Sequence, residues 1–175
     1  WGYAWFIDDV AIVEQPNNDI VLNSAWITNG GAAEYGRTPA NQMNDTLVVG
    51  GEVFNFGVYD QNNINVNAVV IDDSGTEVLN ATASQSILEN DSTSYIETLI
   101  TGFTPLAEGI YTLDVTASSD TDNSTGDNFT NNTYSRNFSI TDKLYSLDGI
   151  DIYDNEMLSL TSLGSNSFTD NEDGM

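Results

Sequence analysis

Between Asp19 and Asp142 the apolar residues of this chain fall into seven short alternating runs, each closed by residues that favour turns. The runs are roughly Ile20 to Thr28, Gly51 to Tyr59, Asn65 to Asp72, Thr76 to Ala83, Thr93 to Thr101, Gly109 to Ala117 and Thr133 to Thr141. Alternation with a period of two sends successive side chains to opposite faces. Each run then has one face to bury, and stacking one sheet on another buries it. Stretches of comparable length lack helical periodicity with start and stop signals, and Glu34 to Asn44 reads as loop. The expected fold class is all-β, a seven-stranded sandwich.

Asp72-Asp73-Ser74-Gly75 is the clearest turn, a tight hairpin in which Gly supplies a positive φ. In the second run Phe54, Phe56 and Val58 alternate with Val53, Asn55, Gly57 and Tyr59, and the first set, larger and more apolar, is expected to face the core. Gly109 followed by Tyr111 at the head of the sixth run resembles the tyrosine corner of immunoglobulin-like sandwiches, whose ring packs while its hydroxyl bonds a nearby backbone group. An ordinary strand tyrosine is the alternative. The expected core is Phe54, Phe56, Val69, Ile71, Leu99, Tyr111, Leu113, Val115 and Phe138. With no Cys in the chain, packing alone must hold the sheets together.

Composition narrows the chemistry. Three Lys or Arg against 27 Asp or Glu give a formal net charge of -24, a field that repels nucleic acid and anionic membrane surfaces. Without His or Cys there is no Ser-His or Cys-His pair, no thiolate or imidazole metal site and no His or Cys ligand for haem. Strong charge with abundant Asn, Ser and Thr is also a mark of disorder, but 39% hydrophobic and 10% aromatic residues in ordered alternation supply enough burial to fold. Such acidity suits a saline exterior better than a cytoplasm. Neither a membrane span nor an uncleaved signal peptide is expected, since no long apolar run and no basic leading segment occur.

The flanks suggest a piece of a longer polypeptide. Residues 1–14, rich in aromatic and β-branched side chains, read as one strand; 15–18, Gln-Pro-Asn-Asn, as a linker; 19–142 as the sandwich; and 143–175 as the start of a further β domain. Trp5-Phe6-Ile7-Asp8-Asp9-Val10 resembles the final strand of jelly-roll modules of the MAM and cleaved-adhesin type. Tyr35 to Gln42, Gly109 to Leu113 and Asn131 to Phe138 make the middle unit similar to the CARDB-related immunoglobulin-like domain of large secreted Bacteroidetes proteins. Leu163 to Gly174 is similar to the opening of another β-sandwich. The resemblance implies a cell-surface or secreted protein, an adhesin or multi-domain protease exported by the type IX route. The sorting domain that marks that route is not in this sequence.

Paired carboxylates such as Asp8-Asp9 and Asp72-Asp73 are too numerous to signal catalysis, and neighbours on a strand point to opposite faces, so they cannot share a substrate. Calcium is the ion that carboxylates and amides suit. Asp120, Asp122 and Asp127 sit in a loop resembling half of an oxygen-rich Ca²⁺ site, without the closing bidentate Glu of an EF-hand; a solvated loop is the alternative. Asp8 and Asp9 are further calcium candidates, because related jelly rolls use an aspartate of the final strand. Asn-x-Ser/Thr recurs, as at Asn131 and Asn137, at a frequency chance supplies in such a composition. Asp45-Thr46-Leu47 and Asp91-Ser92-Thr93 resemble the Bacteroidetes O-glycosylation signal, which makes Thr46 and Ser92 candidate sugar attachment points on exposed loops. Trp1, Tyr3, Trp5 and Trp26 can stack on sugars, though core packing is the commoner use of strand aromatics.

The reading is a non-catalytic, extracellular structural or adhesive module. Its partners are other domains of the same polypeptide and a cell-surface protein or glycan, not nucleic acid or membrane. Calcium is its one candidate cofactor. An accessory region of a secreted protease or polysaccharide-degrading enzyme, and a filament subunit joined through end strands, are the alternatives.

Overall fold

A computed structural model describes residues 14–29, 36–102, 104, 106–123 and 128–144. Among them are eight strands: β1 Ile20–Asn29, β2 Arg37–Pro39, β3 Thr46–Asn55, β4 Gln61–Asp72, β5 Glu77–Leu88, β6 Thr93–Thr101, β7 Gly109–Ser118 and β8 Thr133–Thr141. They form a three-stranded sheet in the order β1-β3-β6 and a five-stranded sheet in the order β2-β8-β7-β4-β5. All neighbours are antiparallel except β2 and β8. This is the expected all-β sandwich of immunoglobulin-like type, and each of the seven expected runs is a strand. The partial β segments expected at 1–13 and 145–175 lie outside the described residues.

Two expectations need correction. Arg37–Pro39, read as loop, is a short strand whose residues are all buried, pinned where Ser139 N–H donates to Gly36 O at 2.9 Å. Three residues are too few to show alternation. The second error is one of face. β3 starts at Thr46 rather than Gly51, and its inward series is Leu47, Val49, Gly51, Val53 and Asn55. Phe54 is half-buried on the outer side and Phe56 is 41% exposed just beyond the strand. The Gly50-Gly51 pair hides this register. Both glycines lie inside the strand, and a Cβ on Gly50 would sit 2.5 Å from Ile96 O. The same slip puts Val69 and Ile71 on the outer, half-buried side of β4, because Ile64, Val66, Ala68 and Val70 take the inner side. Leu99 is 60% exposed, since Ile96 is the buried residue of β6.

The core lies between the sheets. Ile20, Leu22 and Ile27 of β1, with Leu47, Val49 and Val53 of β3, meet Ile64, Val66 and Val70 of β4 and Leu113, Val115 and Phe138 of β7 and β8. Burying each of these side chains stabilises the fold by roughly 1.5–3 kcal/mol before chain entropy is charged against it.

The pairing registers fix which strand ends share a pole. Asn65 lies opposite Ser118 and Thr116 opposite Thr133, and across the sheets Ile20 N–H bonds the Asp122 side chain just after β7, so the start of β1 sits with the end of β7 and the start of β8. At the other pole Asp72 lies opposite Tyr111 and Gly109 opposite Ile140. There the tyrosine corner is realised: Tyr111 OH donates to Ala107 O at 2.8 Å and its ring stacks on Phe138 at 5.5 Å. The Asp72–Gly75 hairpin also forms as expected, with Gly75 at φ 84°.

Candidate functional site

The pole where β1 begins is built from buried polar side chains. β3 ends in Asn55, 0% exposed, whose amide donates to Tyr59 O and Leu88 O at 3.0 Å each and whose Oδ1 accepts from Gly57 N–H at 3.0 Å. One amide thus holds the turn leading into β4 against the end of β5. Gln61, the first residue of β4 and also fully buried, presents Oε1 to the hydroxyls of Ser119 and Thr121, both at 2.7 Å. Ser119 N–H donates to Asp122 O at 2.7 Å and Asp122 N–H to Ser119 Oγ at 2.9 Å, which folds the segment after β7 into a tight turn and sends the Asp122 side chain inward.

Asp122 is 0% exposed. Its Oδ2 accepts from Ile20 N–H at 2.7 Å and from Asn132 Nδ2 at 2.9 Å, so one carboxylate joins the start of β1 to the residue before β8. Asn132 is itself 0% exposed, and its backbone oxygen accepts from Ala117 N–H at 2.8 Å. Next to it Asn131 Nδ2 donates to Oδ1 of the buried Asp19 at 3.0 Å. In this cluster the buried oxygens Asp122 Oδ1, Asn131 Oδ1 and Asn132 Oδ1 have no hydrogen-bond donor.

The segment expected to be a linker is laid along this pole. Val58 N–H donates to Pro16 O and Tyr59 N–H to Asn17 O, while Phe56 and Gly57 N–H both donate to Asp19 O. Gly57 permits the approach, because a Cβ there would meet Asp19 N at 2.8 Å and Asn17 O at 2.9 Å.

Of the calcium candidates, Asp122 lies in this cluster. Asp120 is exposed, its Oδ2 accepting from Asn63 Nδ2 at 2.7 Å. Asp8, Asp9 and Asp127 lie outside the described residues. Among the described residues no three His, Cys, Asp or Glu side chains gather; amides complete the cluster instead. Sequence reading missed Asp19, Asn55, Gln61, Asn131 and Asn132, because Asn is so common here that a buried one carries no local mark. Of the sugar-attachment candidates, Thr46 is not in a loop but is the half-buried first residue of β3, opposite Thr101. Ser92 is half-buried in the turn before β6, its hydroxyl donating to Glu89 O at 2.5 Å.

Two further features lie elsewhere. Trp26, weighed in the sequence between sugar stacking and core packing, is half-buried on the outer face of the three-stranded sheet; its indole N–H crosses Gly50 to donate to Glu97 Oε2 at 3.2 Å, and its ring lies 6.1 Å from that of Tyr95. At the corner pole Asp72 Oδ1 accepts from Ser74 Oγ, Ser74 N–H and Thr76 N–H. Those bonds, the Ser74 hydroxyl first, hold its carboxyl below the usual range. Burial first, then the charges of Asp72 and Asp73, raises the Tyr111 phenol above its ordinary value.

No protein-family model matches this sequence, and no curated protein matches it. Among solved structures it is similar to a CARDB domain from Pyrococcus furiosus in complex with di-metal ions, at 19% identity and TM-score 0.47, over 78% of this chain and 100% of that domain. A domain described as belonging to a cell surface protein of Methanosarcina acetivorans aligns at 21% identity and TM-score 0.45, over 72% and 94% of the two chains. A Bacteroides uniformis β-glucuronidase aligns at 14% identity and TM-score 0.46; the likeness covers 72% of this chain but 14% of the enzyme.

Proposed function

We propose that this chain is a non-catalytic, extracellular spacer module that holds the segments before and after its sandwich at a fixed separation and orientation. The observation that carries this is the placement of the first and last strands. β1 begins at the polar pole and β8 runs from that pole to end at the other, so the chain enters and leaves at opposite ends, separated by the length of β8, on the order of 27 Å at the usual rise per residue. A spacer also needs a stiff approach, and the backbone bonds from Val58 and Tyr59 to Pro16 and Asn17 give one. An extracellular setting is favoured by the net charge of -24, which keeps a surface hydrated in salt. Among the described residues no helix is long and apolar enough to cross a membrane.

The absence of Cys from the chain makes the test clean. Spin labels on Asn17→Cys and Asp142→Cys, both exposed positions, are expected to give one narrow distance distribution near 30 Å, as roughly eight strand steps require. A broad distribution, or one that collapses to about half that length, would remove the spacer reading.

A further inference from the structure

The Asp122 carboxyl has no cationic partner among the described contacts. It is completely buried, the two partners of Oδ2 are neutral N–H groups, and Oδ1 has no donor at all. The whole chain has three cationic side chains, Arg37, Arg136 and Lys143. Arg37 pairs in register with Ser139 and Arg136 with Leu113, both further along β8, and Lys143 lies 87% exposed against Asp142 at 3.2 Å. An ionised carboxylate out of water without a countercharge costs several kcal/mol or more, and orphaned acceptors add to that.

The amides next to it point to what is missing. Asn132 turns its NH₂ to Asp122 and Asn131 turns its NH₂ to Asp19, and reversing either amide would set oxygen against carboxylate. Their carbonyl oxygens are thereby committed to the remaining side, where both are buried and without a donor, like Asp122 Oδ1. Three acceptor oxygens in one linked cluster, with a second buried carboxylate beside them, match the preference of a hard cation. Carboxylate mixed with amide carbonyl suits Ca²⁺, which tolerates irregular oxygen shells, better than Mg²⁺, which demands a near-ideal octahedron. We propose that Asp122, Asn131 and Asn132, with Asp19 beside them, bind one calcium ion at the polar pole. The ion would clamp the start of β1, the turn after β7 and the residues before β8, which are more than a hundred residues apart at the Ile20–Asp122 bond.

The test uses the full 175-residue chain, stripped with a chelator and titrated with CaCl₂ at fixed ionic strength set by NaCl. One saturable site per chain is expected, with a rise in melting midpoint of about 5 °C or more at saturation and a smaller rise with MgCl₂. Asp122→Asn and Asp120→Asn remove the same charge from the same turn. The first is expected to abolish the calcium shift and the second to keep it. If Asp122→Asn does not fold, Asn131→Ala, which leaves both hydrogen bonds of Asp122 in place, is to weaken calcium binding at least ~10-fold. Absence of saturable binding would overturn the proposal. So would equal losses in Asp120→Asn and Asp122→Asn, which mean diffuse counterions, or unchanged binding in Asn131→Ala.

Discussion

At one end of the sandwich Asn55, Gln61, Asp122 and Asn132 are wholly buried, bonded to one another's segments and to backbone at Gly57–Tyr59, Leu88 and Ile20; at the other, Tyr111 stacks on Phe138, with one hydroxyl bond to Ala107. Both ends must satisfy backbone groups where strands stop. At the corner pole Asp72 and the hairpin backbone supply those bonds, while the strands are held together mostly by apolar packing, which is non-directional and tolerates small shifts. The polar pole relies on directional bonds in a low-dielectric setting, where each partner lost leaves another group stranded. Sequence-distant segments converge on the polar pole, and it is the one on which the incoming chain is laid.

Removing packing at the corner should have the largest effect. Phe138→Ala deletes the ring under Tyr111 and is expected to cost about 3–5 kcal/mol in chemical denaturation, with no influence of calcium on the difference. Asn55→Ala attacks the other pole through hydrogen bonds alone. It takes the amide donor from Leu88 O and one of two partners each from Gly57 N–H and Tyr59 O, for an expected loss of about 2 kcal/mol that a volume argument would not foresee. Equal tolerance of Asn55→Ala and an exposed Asn→Ala control would show that the polar pole is solvated and erase the contrast.

Tyr111→Phe sharpens the comparison at about 1 kcal/mol, the worth of its single hydroxyl bond. It also has a pH signature. The Tyr111 phenol is raised in the folded state, so the neutral form is favoured there; the stability it contributes is present below the ordinary phenol value near 10 and declines as pH rises through the higher folded value. Unfolding midpoints measured from pH 8 to 11 should therefore fall more steeply for the parent than for Tyr111→Phe. The smallest effect belongs to Asp72. Its depressed carboxyl contributes stability above the ordinary value of 3.8 that is lost as pH falls through the folded one, and Asp72→Asn should flatten that acid-side loss slightly.

The corner pole was largely legible in the sequence and the polar pole was not. Gly109, Tyr111, Leu113 and Val115 announce a strand, its buried face and its corner together, because aromatic and branched residues alternate there with polar ones. Where both faces carry apolar residues, as at Val53/Phe54 and Val69/Val70, alternation alone leaves the inward side open, and the larger side chains mislead. Only the continuation of β3 back through Gly51 and Gly50 to Val49 and Leu47 decides it. The loop marks Asp122 as a candidate oxygen ligand, but Asp19, Asn131 and Asn132 join it through tertiary contacts that no local spacing encodes.

The amide of Ile20 reads this arrangement at a single atom. Bonded to a buried carboxylate 102 positions away, it should exchange with solvent as slowly as the central amides of β3 and β4, and lose that protection selectively in Asp122→Ala while those central amides keep theirs. Exchange at Ile20 as fast as at the exposed turn amides of the parent chain would contradict the buried polar pole on which the account is built.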